Sequence, residues 1–342
     1  MSVTIKDIAR QAGVSHTTVS RALNGNPAIP EKTAAVIRGI AGEMGYLPSA
    51  AARGLKTRHT QVLGVLVSRI DNPYFGEIIQ GIEDGVKDAG YSIFIASSDM
   101  DPGQEKSVIQ AFSEHRVDGV IIGSVPVNRN NYELLEKYGI PIVVINNQSL
   151  RNHKYAISHD DEYGAQQVTQ HLIELGHRRI AYLGNTQANR INKNRLRGFK
   201  LELAAHGLDY KPELTTGQPG GEIENGVAGM RSLLEKSSDI SAVFCFNDLT
   251  AIGALQVLHE RGIRVPEDIS VAGFDDIPYA AYTNPPLTTF EQPKYSIGVE
   301  AADMLMGLIS RSEGNGHNDH PITKKMRGQL LVRASTAKNR KE

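Results

Sequence analysis

Apolar positions recur at helical spacing from the first residues onward: Ile5, Ile8, Ala9 and Ala12 share one face, Gly13 interrupts them, and Val19, Ala22 and Leu23 resume. The pattern predicts a helix over Ile5–Ala12, a turn at Gly13-Val14-Ser15 and a second helix over His16–Leu23. Thr4 followed by Asp7 matches a capping box, Gly13 can take positive φ, and Ser15 is placed to cap the second helix. A third helix is expected from Glu31 to Met44, with Pro30 near its start and Val36, Ile37, Ile40 and Met44 packing on the other two. Two short helices broken by a glycine have the spacing of a helix-turn-helix.

From Val62 the periodicity changes. VLGVLV, SIFIAS, GVIIG and IVVIN read as buried parallel strands, separated by helical stretches from about Pro73, Gln104 and Asn131. RIAYLG, SAVFCF and ISVAGF form a second series, with helices from about Arg195, Ile223, Asp248 and Lys294. Joined by a helix from Tyr163 to Leu175, the two series predict two doubly wound lobes with ligand held between them at the carboxyl ends of strands. Such a cleft closes by hinge motion. Between head and body, Ser49 can cap a short alanine-rich helix that needs packing support to persist. Gly54 weakens that helix by a further ~1 kcal/mol. The segment is either a joint that folds when two copies meet on DNA or a linker that stays flexible.

The expected fold is an all-α helix-turn-helix headpiece (1–47), a hinge helix and linker (48–60), and an α/β two-lobed domain (61–342). Its N-lobe is expected at about 61–160 with part of 290–325, and its C-lobe at about 163–290 with 325–335. Hydrophobic content of 40% with 22% charge suits a soluble globular protein, and no apolar run approaches the roughly 18 residues of a membrane span. MSVTIKDIAR opens in a charged amphipathic pattern without a signal core, so a cytoplasmic location is expected. Cys245, inside the apolar run AVFCF, reads as a small core residue. Residues 1–60 hold eight Lys/Arg against three acids, a balance of +5 that leaves −6 for the remainder. A basic head on an acidic body points to a polyanion partner for the head alone, although a merely solvated basic face would carry the same charge.

Arg21 is the best candidate for reading bases, because its planar fork can pair with guanine O6 and N7. His16 and Thr17 at the helix start can reach base edges, whereas Thr18 and Ser20 suit phosphate. The full DNA-contacting set expected on the head adds Thr4, Ser15 and Asn24. Enzyme motifs are missing: no G-x-G-x-x-G follows a strand, and neither a G-x-S-x-G elbow nor a P-loop is present. His317 and His320 in GNGHNDHP lie in a Gly/Asn turn and read as a solvated loop, so no metal or other cofactor is expected. A transport receptor would explain the body, but not a basic helical head.

TIKDIARQAGVSHTTVSRALN followed by GYLPSAAARGLK closely resembles the headpiece and hinge of the lactose/galactose repressor family of bacterial transcription factors. DNPYF, RVDGVII, HLIELGHRRIAYL, RLRGF, FNDLTAIGAL, RVPEDISVAGFDD and PPLTTFEQP look like successive landmarks of the same family, so the resemblance covers nearly the whole chain. It implies a body of the type I periplasmic sugar-binding fold, a palindromic double-stranded operator as partner, and a small hydrophilic effector, sugar-like or nucleoside-like. In that family the hinge helices of a dimer enter the minor groove, where a leucine matching Leu55 wedges the operator open. Ala52 is expected to contact DNA beside it. One headpiece covers only a half-site, so a homodimer is expected. Only nine residues follow Arg333, without apolar heptads, so the tetramer-forming helix of some relatives is not expected.

The matching landmarks imply effector contacts from Tyr74, Phe75, Asn146, Asp160, Arg195, Asn247 and Asp275, all at strand ends or neighbouring loops. Arg, Asn and Asp together suit hydroxyl pairs. Asp248 is expected to cap its helix and Asp276 to do similar local work. The loop PGGEIENG has glycines where some relatives place an aromatic, and Asn146 stands where many have Asp. The amide-rich loop NTQANRINKN reads either as part of a hydrophilic effector site or as an ordinary polar surface loop.

Overall fold

The computed structural model describes residues 3–46, 59–123, 129–146, 153–237, 239–312 and 320–340. The chain divides into two units, 1–60 and 61–342. The hinge segment 48–58, with Ala52 and Leu55, lies outside the described residues, as does His317.

In the first unit, helices α1 (Ile5–Ala12), α2 (His16–Leu23) and α3 (Glu31–Glu43) enclose Ile8, Ala9, Val19, Ala22, Ala34, Ile37 and Ala41. Asp7 Oδ2 accepts both the Thr4 N–H at 3.0 Å and the Thr4 hydroxyl at 2.6 Å, which holds its carboxyl below the usual range. Gly13 turns the chain at φ 65°, and Ser15 Oγ accepts the Thr18 N–H at 3.1 Å. Val36 is not in this core: it is 59% exposed, because the inward face of α3 runs through 34, 37 and 41. Ser15→Ala should cost this unit about 1 kcal/mol by leaving the first turn of α2 uncapped. A lowered denaturation midpoint for the head, with the transition of the body unmoved, is the expected observation.

The second unit is built from β1 (Val62–Val67), α4 (Tyr74–Lys87), β2 (Ser92–Ser97), α5 (Pro102–Glu114), β3 (Gly119–Gly123), α6 (Arg129–Lys137), β4 (Ile142–Ile145) and β5 (Tyr155–His159). It continues through α7 (Asp161–Glu174), β6 (Ile180–Asn185), α8 (Asn189–Ala205), β7 (Thr215–Gln218), α9 (Ile223–Lys236), β8 (Ala242–Cys245), α10 (Asp248–Glu260), β9 (Ser270–Asp275) and β10 (Thr288–Glu291). It closes with α11 (Lys294–Ser312), β11 (Ile322–Met326) and β12 (Gln329–Leu331). Helix α8 begins six residues before Arg195, so that arginine lies in its second turn instead of at its start.

The strands form two sheets with orders β11-β5-β4-β3-β1-β2 and β12-β10-β9-β8-β6-β7. Each contains the doubly wound 2-1-3-4-5 arrangement, in which ligands bind beyond the carboxyl ends of the strands. Within each sheet all neighbours are parallel except β10 with β12. Helices α4 and α11 cover one face of the N-lobe sheet, with Ile78, Ile82, Val86, Ile297 and Leu305 in its core. Helices α9 and α10 do the same for the C-lobe with Met230, Leu233, Ala254 and Leu258. The chain crosses between lobes three times, after β5, after β10, and between β11 and β12. Cys245 is fully buried on β8, and burial raises its thiol pKa.

Candidate functional site

Strand ends and helix starts of both lobes surround a cavity of about 530 Å³. Tyr74 and Phe75 open α4 on the N-lobe side, and Asn146 follows β4. Arg195 from α8, Asn247 after β8 and Asp275 at the end of β9 face them from the C-lobe. Several residues that line the cavity carry strained backbone: φ is +48° at Asp99, +61° at Met100, +48° at Asn146 and +112° at Asp275. Non-glycine residues persist there only where surrounding structure over-determines them, and such residues cluster at binding sites.

The floor is a circuit of polar contacts, hydrogen bonds at every link but the last. His159 N–H donates to Asn146 Oδ1 at 3.2 Å, and Asn146 Nδ2 donates to the Tyr74 hydroxyl. That hydroxyl donates to Gln292 Oε1 at 2.9 Å, and Gln292 Nε2 donates to Asp275 Oδ1. Arg195 Nη2 reaches the same Asp275 oxygen at 3.4 Å, while its Nε donates to Asp161 Oδ1 at 2.8 Å. His159 Nε2 lies 3.4 Å from that Asp161 oxygen and closes the ring. The circuit takes in residues of both lobes and two crossings. The Arg195 guanidinium is 3% exposed and sits 3.8 Å from the Phe274 ring centroid.

Burial sets the charge states here. It pushes the Asp161 carboxyl up to about 6 against the opposing pull of Arg195, and it also raises Asp275. Burial alone would lower Arg195, but Asp161 and Asp275 outweigh it and hold the guanidinium above its usual value. Burial and the Arg195 charge hold His159 well below the usual imidazole range, so it is neutral at pH 7. Between the unfolded value of 3.8 and about 6, the folded state holds the Asp161 proton that the unfolded state has lost. The stability this group contributes is therefore present at low pH and lost as pH rises through 6. Asp161→Asn should gain on the parent by about 1 kcal/mol between pH 5 and pH 7. Urea denaturation of both proteins at the two pH values measures it.

Six of the seven effector positions expected from sequence line this cavity: Tyr74, Phe75, Asn146, Arg195, Asn247 and Asp275. Asp160 does not. Its carboxylate caps α7 through the Tyr163 N–H at 3.3 Å and lies near Lys325 and Arg327 at 3.6 and 3.4 Å. The neighbouring Asp161 turns inward to Arg195 instead, because successive residues at the start of a helix point about 100° apart. Asp248 is not the cap of α10; Asn247 is, accepting the Thr250 N–H at 2.9 Å. Asp248 is buried one residue on, where it accepts the Ile277 N–H and the Thr289 hydroxyl. Asp276 pairs with Arg333 at 2.7 Å.

In the amide-rich loop, Asn185 Oδ1 accepts the Gln187 and Ala188 N–H groups, and Asn192 Oδ1 accepts the Tyr182 hydroxyl and the Asn185 N–H. Asn185 and Gln187 still line the cavity, whereas Asn192 only supports it. Gly221 lines it too, and a Cβ there would lie 3.0 Å from Asn247 Nδ2, a tight contact with the side chain that caps α10. His159, Asp161 and Gln292 are members of the circuit that sequence reasoning passed over. Gln292 had a readable signal, a polar residue directly after the strand TTFE.

On the first unit, His16, Thr17, Arg21 and Asn24 are exposed along α2, together with Thr4 ahead of α1. Ser15 and Thr18 bond one another at 2.8 Å and serve the cap, and Ser20 is half-buried with its carbonyl accepting from Asn24 Nδ2. The exposed face of α2 thus presents one cation and several hydrogen-bonding side chains. Among the described residues no helix is long and apolar enough to cross a membrane, and no group of three His, Cys, Asp or Glu could hold a metal ion.

A helix-turn-helix unit followed by a two-lobed binding unit defines the class: a DNA-binding regulator with a periplasmic-binding-protein-like body. Residues 4–49 match the lacI family of bacterial regulatory proteins, and residues 169–336 match the periplasmic binding protein-like domain. The chain is 37% identical over 312 residues to the HTH-type transcriptional repressor PurR of Aliivibrio fischeri, covering 90% of this chain and 91% of that protein. It is 33% identical to the ribose operon repressor of Haemophilus influenzae, covering 91% and 93%. A solved complex of the transcriptional regulator CelR with cellobiose superposes with a TM-score of 0.74 at 30% identity, covering 97% of this chain and 99% of that one. The chain belongs to the lacI family of bacterial regulatory proteins and is a transcriptional regulator, not an enzyme.

Proposed function

We propose that this protein is a cytoplasmic transcriptional repressor that binds a palindromic operator as a homodimer and is gated by a small hydrophilic effector, sugar-like or nucleoside-like, in the cleft between its lobes. The observation that carries the reading is the circuit beneath the cleft, because one bound molecule can bias it and both lobes share it. Gating requires only that the effector bind two lobe arrangements with different affinity. A ribose operon repressor and a regulator–cellobiose complex among its relatives support a ligand of sugar size. Arg21, His16 and Thr17 are assigned to bases, Thr18, Ser20 and the cap residues to phosphates, and Ala52 and Leu55 of the hinge to the minor groove.

Selection from a random palindromic library should return a defined site, bound in a salt-sensitive way. Arg21→Ala should lose about 1–3 kcal/mol of preference at one base position and leave nonspecific binding nearly unchanged. A library that returns no site would sink the reading. The effector half is tested by thermal shift, since a ligand at ~100 times its Kd adds ~2.7 kcal/mol.

A further inference from the structure

Phosphate and carboxylate groups are usually bound by free N–H groups at helix N-termini or by unpaired guanidinium and ammonium groups. The cleft has helix starts on every side, and side chains occupy those of α4, α5, α9 and α10, whereas at α8 a side chain takes only the N–H groups ahead of the helix. Asn72 Oδ1 accepts the Tyr74 N–H of α4 at 3.0 Å, and Asp101 Oδ1 accepts the Gly103 and Gln104 N–H groups of α5 at 2.6 and 2.8 Å. Asn185 Oδ1 accepts the N–H groups just ahead of α8 at 2.9 and 3.3 Å. Glu222 stands at the N-cap of α9, and Asn247 caps α10. All five of these residues line the cavity, and two of them are carboxylates.

Its cations are engaged as well. Arg69 and Arg195 are the only Lys or Arg side chains among the described residues of the lining. Arg69 makes two bonds to Asp71, at 2.9 and 2.6 Å, and has Glu222 Oε1 at 3.9 Å across the mouth. Arg195 is held by Asp161 and Asp275. Against these two stand the carboxylates of Asp99, Asp101, Glu222 and Asp275. A neighbouring hollow of about 690 Å³ does carry Lys and Arg side chains, but it shares only Asn146, His159 and Ile191 with the cleft. Three of its cations face Glu162, Glu300 and Asp160.

We infer that the cleft takes an uncharged, hydroxyl-rich molecule and rejects the phosphorylated or carboxylated form of that same molecule. The inference rests on the cleft being the effector site. An added anion would displace a capping side chain or lie beside the carboxylates of Asp99, Asp101 and Glu222, and like charges brought together at a binding surface are strongly disfavoured. The molecule sensed is then the substrate, not the product, of any kinase or oxidase step that makes it anionic.

The test uses the full-length protein and matched pairs: D-ribose with ribose 5-phosphate, D-glucose with glucose 6-phosphate and with gluconate, and adenosine with its 5′-monophosphate. Calorimetry or thermal shift should find a neutral member that binds, and its anionic partner should be weaker by on the order of a hundredfold. Glu222→Gln and Asp99→Asn should each narrow that gap, and so should raised ionic strength. An anionic member that binds as tightly as its neutral partner, by reaching into the adjoining hollow or otherwise, overturns the inference. A gap indifferent to both substitutions and to salt overturns it too, since the rejection would then be steric. If no member of any pair binds, the cleft reading itself falls and the inference falls with it.

Discussion

Arg195→Met is expected to lower the melting temperature of the body by about 10 °C and to abolish effector binding. The side chain is fully buried, donates to Asp161, Asp275 and the Phe246 carbonyl, and lies over two phenylalanine rings. Methionine fills much of the same volume but leaves Asp161 buried without its counter-charge and Asp275 with only Lys294 nearby. Breaking a buried pair in this way costs about 3–5 kcal/mol, at roughly two to four degrees per kcal/mol for a unit of this size. A pH signature separates this cause from simple loss of packing. Without the guanidinium, Asp161 and Asp275 titrate higher still, so the variant should recover stability as pH falls from 7 to 5. Melts at the two pH values decide it, and a variant as stable as the parent at pH 7 would show that the carboxylates do not depend on Arg195.

Gly253→Ala should destabilise the body by about 2 kcal/mol or more, although alanine is the better helix former by about 1 kcal/mol. A Cβ on Gly253 would lie 2.1 Å from the Ile223 carbonyl oxygen and 2.7 Å from Val227 N. Both are backbone atoms of α9, so no side chain can swing aside, and the two helices must part. Gly307 provides the contrast. It also sits inside a helix, α11, but a Cβ there meets nothing within 4 Å. Gly307→Ala should therefore show only the propensity gain, a rise of about 0.5–1 kcal/mol. Urea midpoints of the two variants should move in opposite directions; equal shifts would refute the contact argument.

The two-unit plan was legible because periodicity and local caps carry it: Thr4, Gly13 and Ser15 mark the helix-turn-helix, and apolar runs mark β1 to β4. Less legible were β7, β11 and β12, whose polar or edge positions break the apolar pattern that identifies a buried strand. The site was readable to the level of strand ends, because a doubly wound sheet delivers those residues to one place. Which of two adjacent aspartates faces inward was not readable. That depends on where α7 begins, and the answer went to Asp161 over Asp160. His159 carried no signal either: one of its links is a backbone N–H that any residue would supply, and the other, its Nε2 beside Asp161, depends on which aspartate turns inward.

The three crossings between lobes bear on how the chain is made. The head is contiguous in sequence and can fold once its sixty residues have left the ribosome. The N-lobe cannot, because α11 and β11 complete its core and sheet only after the whole C-lobe series has been synthesised. At about 5–20 residues per second, apolar residues such as Ile78 and Ile82 wait on the order of ten seconds or more for their cover. Nascent chains should therefore recruit holdase chaperones from about the time β3 emerges, and release them only when translation ends.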